Sequence, residues 1–296
     1  MAVVGPLSTS IEGVKIFMKT VIDSKPWIED PTLVPLPWRT GEFSQRVNGS
    51  RRLKIGVMES DGIVTPHPPI QRAMRAIVSQ LKKIEDIEIL DWKPYRHDLA
   101  SELISSLYYP DAGKETAEII NSSGEPWRPL SKLFLPTENK YIKERTPGEM
   151  YELRDRMEKY KLEYAEKWNS TASHRTSDGH SEGAVDVILC PVGPGVAPPL
   201  DCSRYWGYTS QWNLLDYPAL VFPVSKADPD VDAQERDYVP TNEHDNDNYN
   251  LYEDPEQFRG APVSLQLVGR RYEDEKVIEI MEYLQDRLEL PFASST

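Results

Sequence analysis

Leu53-Lys54-Ile55-Gly56-Val57-Met58, then Ile70-Gln71-Arg72-Ala73-Met74-Arg75-Ala76-Ile77-Val78-Ser79-Gln80-Leu81-Lys82-Lys83-Ile84, then Ile87-Glu88-Ile89-Leu90: these three stretches decide the fold class. The first is a short apolar run. The second spaces Ile70, Met74, Ile77, Val78, Leu81 and Ile84 along one helical face, and the third is apolar again. Strand, helix, strand in this order is the pattern of an α/β layer, because two parallel neighbours need a crossover long enough to hold a helix. A loop with Gly62, Pro66, Pro68 and Pro69 separates the first strand from the helix.

Upstream, residues 9 to 22 read as an amphipathic helix, with Thr9 and Glu12 as a capping box and Ile11, Val14, Phe17, Met18, Val21 and Ile22 on one face. Pro26 stops it. Residues 25–39 contain four prolines with Trp27 and Trp38, which suggests an extended arm held to the body by its rings. Downstream, helical patterning runs through residues 98–121. Thr146-Pro147-Gly148-Glu149 then opens a long helix with Met150, Leu153, Met157, Tyr160, Tyr164 and Trp168 at helical spacing. Residues 169–184 read as a surface loop. Strands are expected over 185–190, 219–224 and 262–269, a short helix over 208–216, and a last helix through Val277, Ile280, Met281, Leu284 and Leu288. Between residues 228 and 256 there are eleven carboxylates and only one Arg or Lys, Arg236, so that stretch is expected to be an acidic, solvated surface excursion.

Bulk composition narrows the function. A chain of 296 residues fits one large α/β domain. Its formal charge of -14, with no concentrated basic patch, argues against nucleic acid and anionic membranes as partners. No stretch approaches the roughly 18 apolar residues of a membrane span, and no leader is recognisable, so a cytoplasmic protein is expected. Cys190 and Cys202 cannot complete a structural zinc site by themselves. Asp228, Asp230 and Asp232 imitate the start of a calcium loop, but Ala233 and Val239 stand where a glycine and a bidentate acid belong. His67, His97, His174, His180 and His244 are scattered and read as loop or surface residues, so no metal is expected. Gly193-Pro194-Gly195 reads as a tight turn at a strand end, since Pro198 occupies the place of a third glycine in a dinucleotide loop.

Certain blocks carry a resemblance. Val3-Val4-Gly5-Pro6-Leu7-Ser8-Thr9-Ser10, Lys25-Pro26-Trp27, Pro35-Leu36-Pro37-Trp38-Arg39, Lys54-Ile55-Gly56-Val57-Met58, Gly124-Glu125-Pro126-Trp127, Asp186-Val187-Ile188-Leu189-Cys190-Pro191, Arg204-Tyr205-Trp206-Gly207-Tyr208-Thr209-Ser210, Asn213-Leu214-Leu215-Asp216-Tyr217-Pro218-Ala219 and Pro262-Val263-Ser264-Leu265-Gln266-Leu267-Val268-Gly269 run in order along nearly the whole chain. Together they resemble the acetamidase-type, or general amidase, branch of the amidase signature family, in the part that follows its catalytic signature. The resemblance implies a twisted, mixed β-sheet flanked by α-helices, incomplete on its amino-terminal side. It also implies a serine hydrolase that cleaves small carboxylic amides to acid and ammonia or amine, without metal or organic cofactor.

The family's chemistry rests on a lysine, a bridging serine and a nucleophilic serine. In family order that Gly/Ser-rich block lies before Val3, so no catalytic residue is transferred to this chain; Lys54 and Ser122-Ser123-Gly124 are read as structural. The expectation is a carboxy-terminal amidase portion, inactive alone, whose longer form would take a small amide and could be a homodimer. The alternative is a non-catalytic relative that binds a ligand or a partner. What the resemblance does carry over is pocket wall: Pro191, Gly193, Trp206, Tyr208, Trp212 and Asn213, on loops at strand ends where α/β pockets open.

Overall fold

The computed structural model describes residues 3–41, 52–133, 135–175 and 181–290. Its elements are, in order, α1 (Ile11–Asp23), β1 (Leu53–Val57), α2 (Pro68–Leu81), β2 (Ile87–Asp91), α3 (His97–Tyr108), α4 (Lys114–Ser123), the single turn α5 (Pro129–Lys132) and α6 (Pro147–Asn169). Then come β3 (His174–Arg175), β4 (Ser181–Glu182), β5 (Val187–Pro191), α7 (Gly207–Leu215), β6 (Ala219–Lys226), α8 (Glu243–Leu251), β7 (Pro262–Val268) and α9 (Asp274–Gln285). Among the described residues no helix is long and apolar enough to cross a membrane.

Five strands form one mixed sheet in the order β2-β1-β5-β7-β6. β1 pairs in parallel with β2 (Ile55 opposite Ile89) and with β5 (Ile55 opposite Val187), while β7 runs antiparallel to both β5 and β6. The alternation of side chains along each strand divides the core in two. Leu53, Ile55 and Val57 of β1, Val187 and Leu189 of β5, and Leu265 and Leu267 of β7 meet Ile70, Met74 and Ile77 of α2 and Val277, Ile280 and Met281 of α9. On the other face Met58, Ile188, Cys190 and Val268 meet Leu103 of α3, Tyr160, Tyr164 and Trp168 of α6, and Trp212 and Leu215 of α7. β1 and β5 are buried on both faces, the condition of central parallel strands. Gly56 makes room on the second face: a Cβ there would lie 3.0 Å from the Trp92 ring.

α6 begins as its sequence demands. The Thr146 side chain accepts from the Glu149 amide and the Glu149 carboxylate accepts from the Thr146 amide. α1 begins one residue later than expected, capped by Ser10, whose Oγ accepts from the Gly13 amide at 3.1 Å. Its expected apolar face is split. Ile11, Val14 and Met18 pack against the first core, whereas Phe17 and Val21 are exposed. Lys15 bonds to Glu282 at 2.8 Å, the Arg39 amide and guanidinium to Glu275, both at 3.0 Å, and the Gly41 amide to Glu279 at 2.6 Å. Those three carboxylates stand four and three positions apart on α9, hence on one side of it; Glu282 holds α1, and Glu275 and Glu279 anchor the end of the arm.

Three further expectations change. The helical stretch 98–121 is broken into α3 and α4 where Ala112 and Gly113 adopt left-handed backbone. Residues 169–184 hold the small antiparallel pair β3–β4. The acidic stretch 228–256 is not wholly solvated: it includes α8 and buries Asp232, Asp245, Asn248 and Tyr252. Arg72 forms a bidentate pair with Asp232, at 2.6 and 2.8 Å, while Arg259 lies against Asp228 and Asp230. Burial pushes the Asp245 carboxyl up, and hydrogen bonds from the Thr65 and Thr241 amides and the Tyr238 hydroxyl bring it below the usual aspartate range.

Candidate functional site

β1 and β5 end side by side; the chain leaving β5 builds a wall of a cleft, and the chain leaving β1 is hydrogen-bonded to that wall. The segment after β1 turns on Asp61, whose Oδ1 accepts from the Ile63 amide at 2.9 Å and the Val64 amide at 3.0 Å, with Gly62 at a positive φ that suits glycine. The segment after β5, Val192 to Arg204, runs along the cleft and leads into Tyr205, Trp206 and the first turn of α7. Opposite stand α8, through His244, Asn248 and Leu251, and the floor of β6 and β7, through Val221 and Ser264. The volume of this open cleft is about 860 Å3.

A buried polar network fixes these walls. Tyr205 donates to Asp61 Oδ2 at 2.5 Å, Tyr208 donates to the Val64 carbonyl at 2.6 Å, and the Asp61 amide donates to the Tyr208 hydroxyl at 3.2 Å. Asp61 is 2% exposed, and burial raises its carboxyl above the usual range despite the bond from Tyr205. Burial and the nearby Asp61 carboxylate likewise raise both phenols. Gln266 of β7 adds a clamp, its amide nitrogen donating to the Pro191 carbonyl at 2.8 Å and to the Tyr208 carbonyl at 3.0 Å.

His67, expected at the surface, is instead 4% exposed and joins three segments. Its backbone amide donates to the Pro194 carbonyl at 2.6 Å, its Nε2 donates to the Asn248 carbonyl at 2.7 Å, and its ring lies 4.6 Å from that of Tyr252. That bond makes Nε2 the protonated nitrogen, leaving Nδ1 as an unpaired acceptor turned toward Gly195. Burial lowers the ring's pKa to about 4. His97 is buried too, against Tyr164 and Trp212, with its pKa lowered to about 4 by the same cause.

Of the six expected wall residues, Gly193, Trp206 and Tyr208 line the cleft. Pro191 lies beneath it in the last pair of β5 with β7, opposite Leu265. Trp212 points into the second core, and Asn213 does not reach the cleft. Reading the sequence missed Asp61, Asn248 and Gln266 and placed His67 in a loop or at the surface; of these only Gln266 carries a local signal, a polar residue between apolar ones in Leu265-Gln266-Leu267. Among the described residues no three His, Cys, Asp or Glu side chains gather as a metal site. One lysine and serine do touch: Lys54 Nζ donates to Ser173 Oγ at 2.6 Å. Lys54 also lies 3.5 Å from Glu88, near the start of β1 and away from the cleft, so the contact is an ammonium donating to a hydroxyl rather than a base activating a nucleophile.

The family model named Amidase matches residues 1–278, and the chain belongs to that family. An amidase-family protein of Schizosaccharomyces pombe is 40% identical over 288 residues, which are 97% of this chain and 50% of its own. The acetamidase of Emericella nidulans is 36% identical over 285 residues, 95% of this chain and 50% of the enzyme. Among solved structures, a fatty acid amide hydrolase superposes with a TM-score of 0.85 at 30% identity, over 97% of this chain and 48% of that one. The chain therefore spans about half the length of the relatives it matches.

Proposed function

We propose that this chain provides the substrate-binding part of a carboxylic amide hydrolase, and that the nucleophile and its base come from residues other than these 296. The observation that carries the reading is the placement of the cleft. It opens beyond the carboxyl end of β5, walled by Gly193, Trp206 and Tyr208, within a fold shared at a TM-score of 0.85 with an amide hydrolase. The names of the acetamidase relatives point to the same bond, the C–N bond of a carboxylic amide. Cleaving it needs an activated nucleophile, a proton donor for the departing amine and fixed dipoles for the developing oxyanion. What the cleft supplies is the first requirement of all three, a pre-shaped wall that holds the amide in place.

The test has two arms. Purified alone, the chain is expected to give no product from small aliphatic amides and no serine adduct with a fluorophosphonate. Co-expressed with the part of the Emericella nidulans acetamidase that it does not match, it is expected to form a complex that releases ammonia from acetamide or larger primary amides. Turnover by the chain alone would overturn the assignment of the nucleophile elsewhere. A folded complex that leaves every amide intact would overturn the hydrolase reading.

A further inference from the structure

We infer that residues 111–133 and 135–145 form a hinged flap at the mouth of the cleft, with the ion pair of Arg128 and Asp201 as its latch. The excursion leaves α3 and returns to α6 through one closed base. Asp111 and Glu144 pair as an isolated antiparallel bridge, the Arg145 amide donates to the Pro110 carbonyl at 2.9 Å, and Lys114 pairs with Glu144. The Asp111 carboxylate also accepts from the Gly113 amide at 3.0 Å and the Glu115 amide at 2.8 Å. Beyond that base the chain has left the core. Among the described residues from 114 to 141 none is buried, whereas α3 and α6 on either side each bury several. A segment with so few buried contacts opens at a free energy well below that of global unfolding. It is nonetheless tied together internally: Trp127 Nε1 donates to Asn121 Oδ1 at 2.9 Å, joining α4 to the approach to α5. Ala112 and Gly113, with φ of 62° and 75°, are the small residues at the base where backbone torsion can change. At the far end α5 reaches the cleft. Pro129 lines it together with Asp201 and Cys202, and Arg128 donates to Asp201 Oδ2 at 2.6 Å. The Arg128 side chain is 63% exposed, so this pair is weak and screened by salt, as suits a contact that is made and broken. Swung inward about its base, the flap covers the solvent side of the cleft; swung outward, it admits a ligand. That motion is independent of the chemistry the cleft serves.

Cys202 reports the motion, because it follows Asp201, lines the cleft and is partly exposed, whereas Cys190 is buried. The experiment follows alkylation of Cys202 by iodoacetamide, an uncharged reagent, in the full chain. Arg128→Glu is expected to speed it about two- to fivefold, the factor that loss of an exposed ion pair allows. The new negative charge near the thiol acts the other way, by disfavouring the thiolate, so a faster reaction reads opening and not local charge. Salt at about 1 M is expected to speed the parent by a similar factor and not to speed Arg128→Glu. Glu125→Gln, on the flap but outside the latch, is expected to react at the parental rate, and all three proteins to share one midpoint in urea unfolding. A parental or slower rate in Arg128→Glu, a parent indifferent to salt, an equal rise in Glu125→Gln, or a faster reaction that comes with a lower unfolding midpoint overturns the flap.

Discussion

Gly195→Ala tests whether the cleft wall is held against His67 as tightly as the geometry requires. Gly195 does not occupy left-handed backbone, so alanine meets no conformational barrier there. Its Cβ, however, would lie 2.6 Å from His67 Nδ1 and 2.8 Å from Cε1. The ring cannot retreat freely, since its Nε2 is 2.7 Å from the Asn248 carbonyl and it packs on Tyr252 and Phe258. Overpacking of this kind costs about 1–3 kcal/mol, and stretching the Asn248 bond adds about 1 kcal/mol. Reduced entropy of the unfolded chain offsets roughly 0.4–1 kcal/mol. The net expectation is a destabilisation of about 2 kcal/mol, seen as a lower midpoint in urea unfolding followed by tryptophan fluorescence, with unchanged slope. His67→Ala makes room for the methyl group, so the double variant should be more stable than the sum of the two single effects by at least about 1 kcal/mol. A single variant within about 0.3 kcal/mol of the parent, or strict additivity in the double, would refute the close approach of loop and ring.

Other outcomes follow from the buried groups. His67 and His97 have folded pKa values near 4 against 6.5 for a free ring, so the unfolded chain binds protons that the folded chain refuses. Their contribution is intact above pH 6.5 and is lost as pH falls toward 4, with a limit of roughly 3 kcal/mol per ring. His97→Phe, in a site where neither ring nitrogen has a partner, should flatten the fall in unfolding free energy between those pH values, and an unchanged slope would count against burial of the neutral ring. Asp61→Ala leaves the Ile63 and Val64 amides and the Tyr205 hydroxyl without their acceptor and should destabilise by about 2–4 kcal/mol, whereas Asp61→Asn keeps an acceptor for the amides and should lose about 1 kcal/mol or less; equal losses in chemical denaturation would contradict this. Glu275→Ala combined with Glu279→Ala, which removes the acceptors of the Arg39 and Gly41 amides, should release the arm of residues 25–41 to limited proteolysis; an arm that stays protected would show that its other contacts hold it.

What could be read from sequence and what could not divide along the range of the interactions. The β1–α2–β2 unit and α6 were legible because their signals are local: apolar spacing in the first, the Thr146–Glu149 capping box in the second. The burial within residues 228–256 was not, because the partners that tolerate those carboxylates are remote. Asp232 meets Arg72 from α2, and Asp245 meets the Thr65 amide before it. His67 was assigned to the surface for the same reason, its ring being covered by α8, far along the chain. In the cleft, Gly193 and Trp206 lie at the wall because they flank strand and helix ends. Trp212 lies one helical turn beyond Tyr208, and only the first turn of α7 reaches the cleft.

Two kinds of bonding therefore hold this chain, and they differ in what they can support. The amino-terminal segment is fastened by ion pairs, Lys15 of α1 with the partly exposed Glu282, worth little and weakened by salt, and Arg39 of the arm with Glu275. The cleft walls are fastened by buried hydrogen bonds with a backbone group on one side: Gln266 to the Pro191 and Tyr208 carbonyls, Tyr208 to Val64, His67 to Asn248. Such bonds are barely screened, and breaking one strands a desolvated polar atom, so the wall keeps one geometry instead of many. A wall that is already in place when a ligand arrives spends none of the binding energy on its own ordering, which is the property an amide-positioning surface needs and a surface loop lacks.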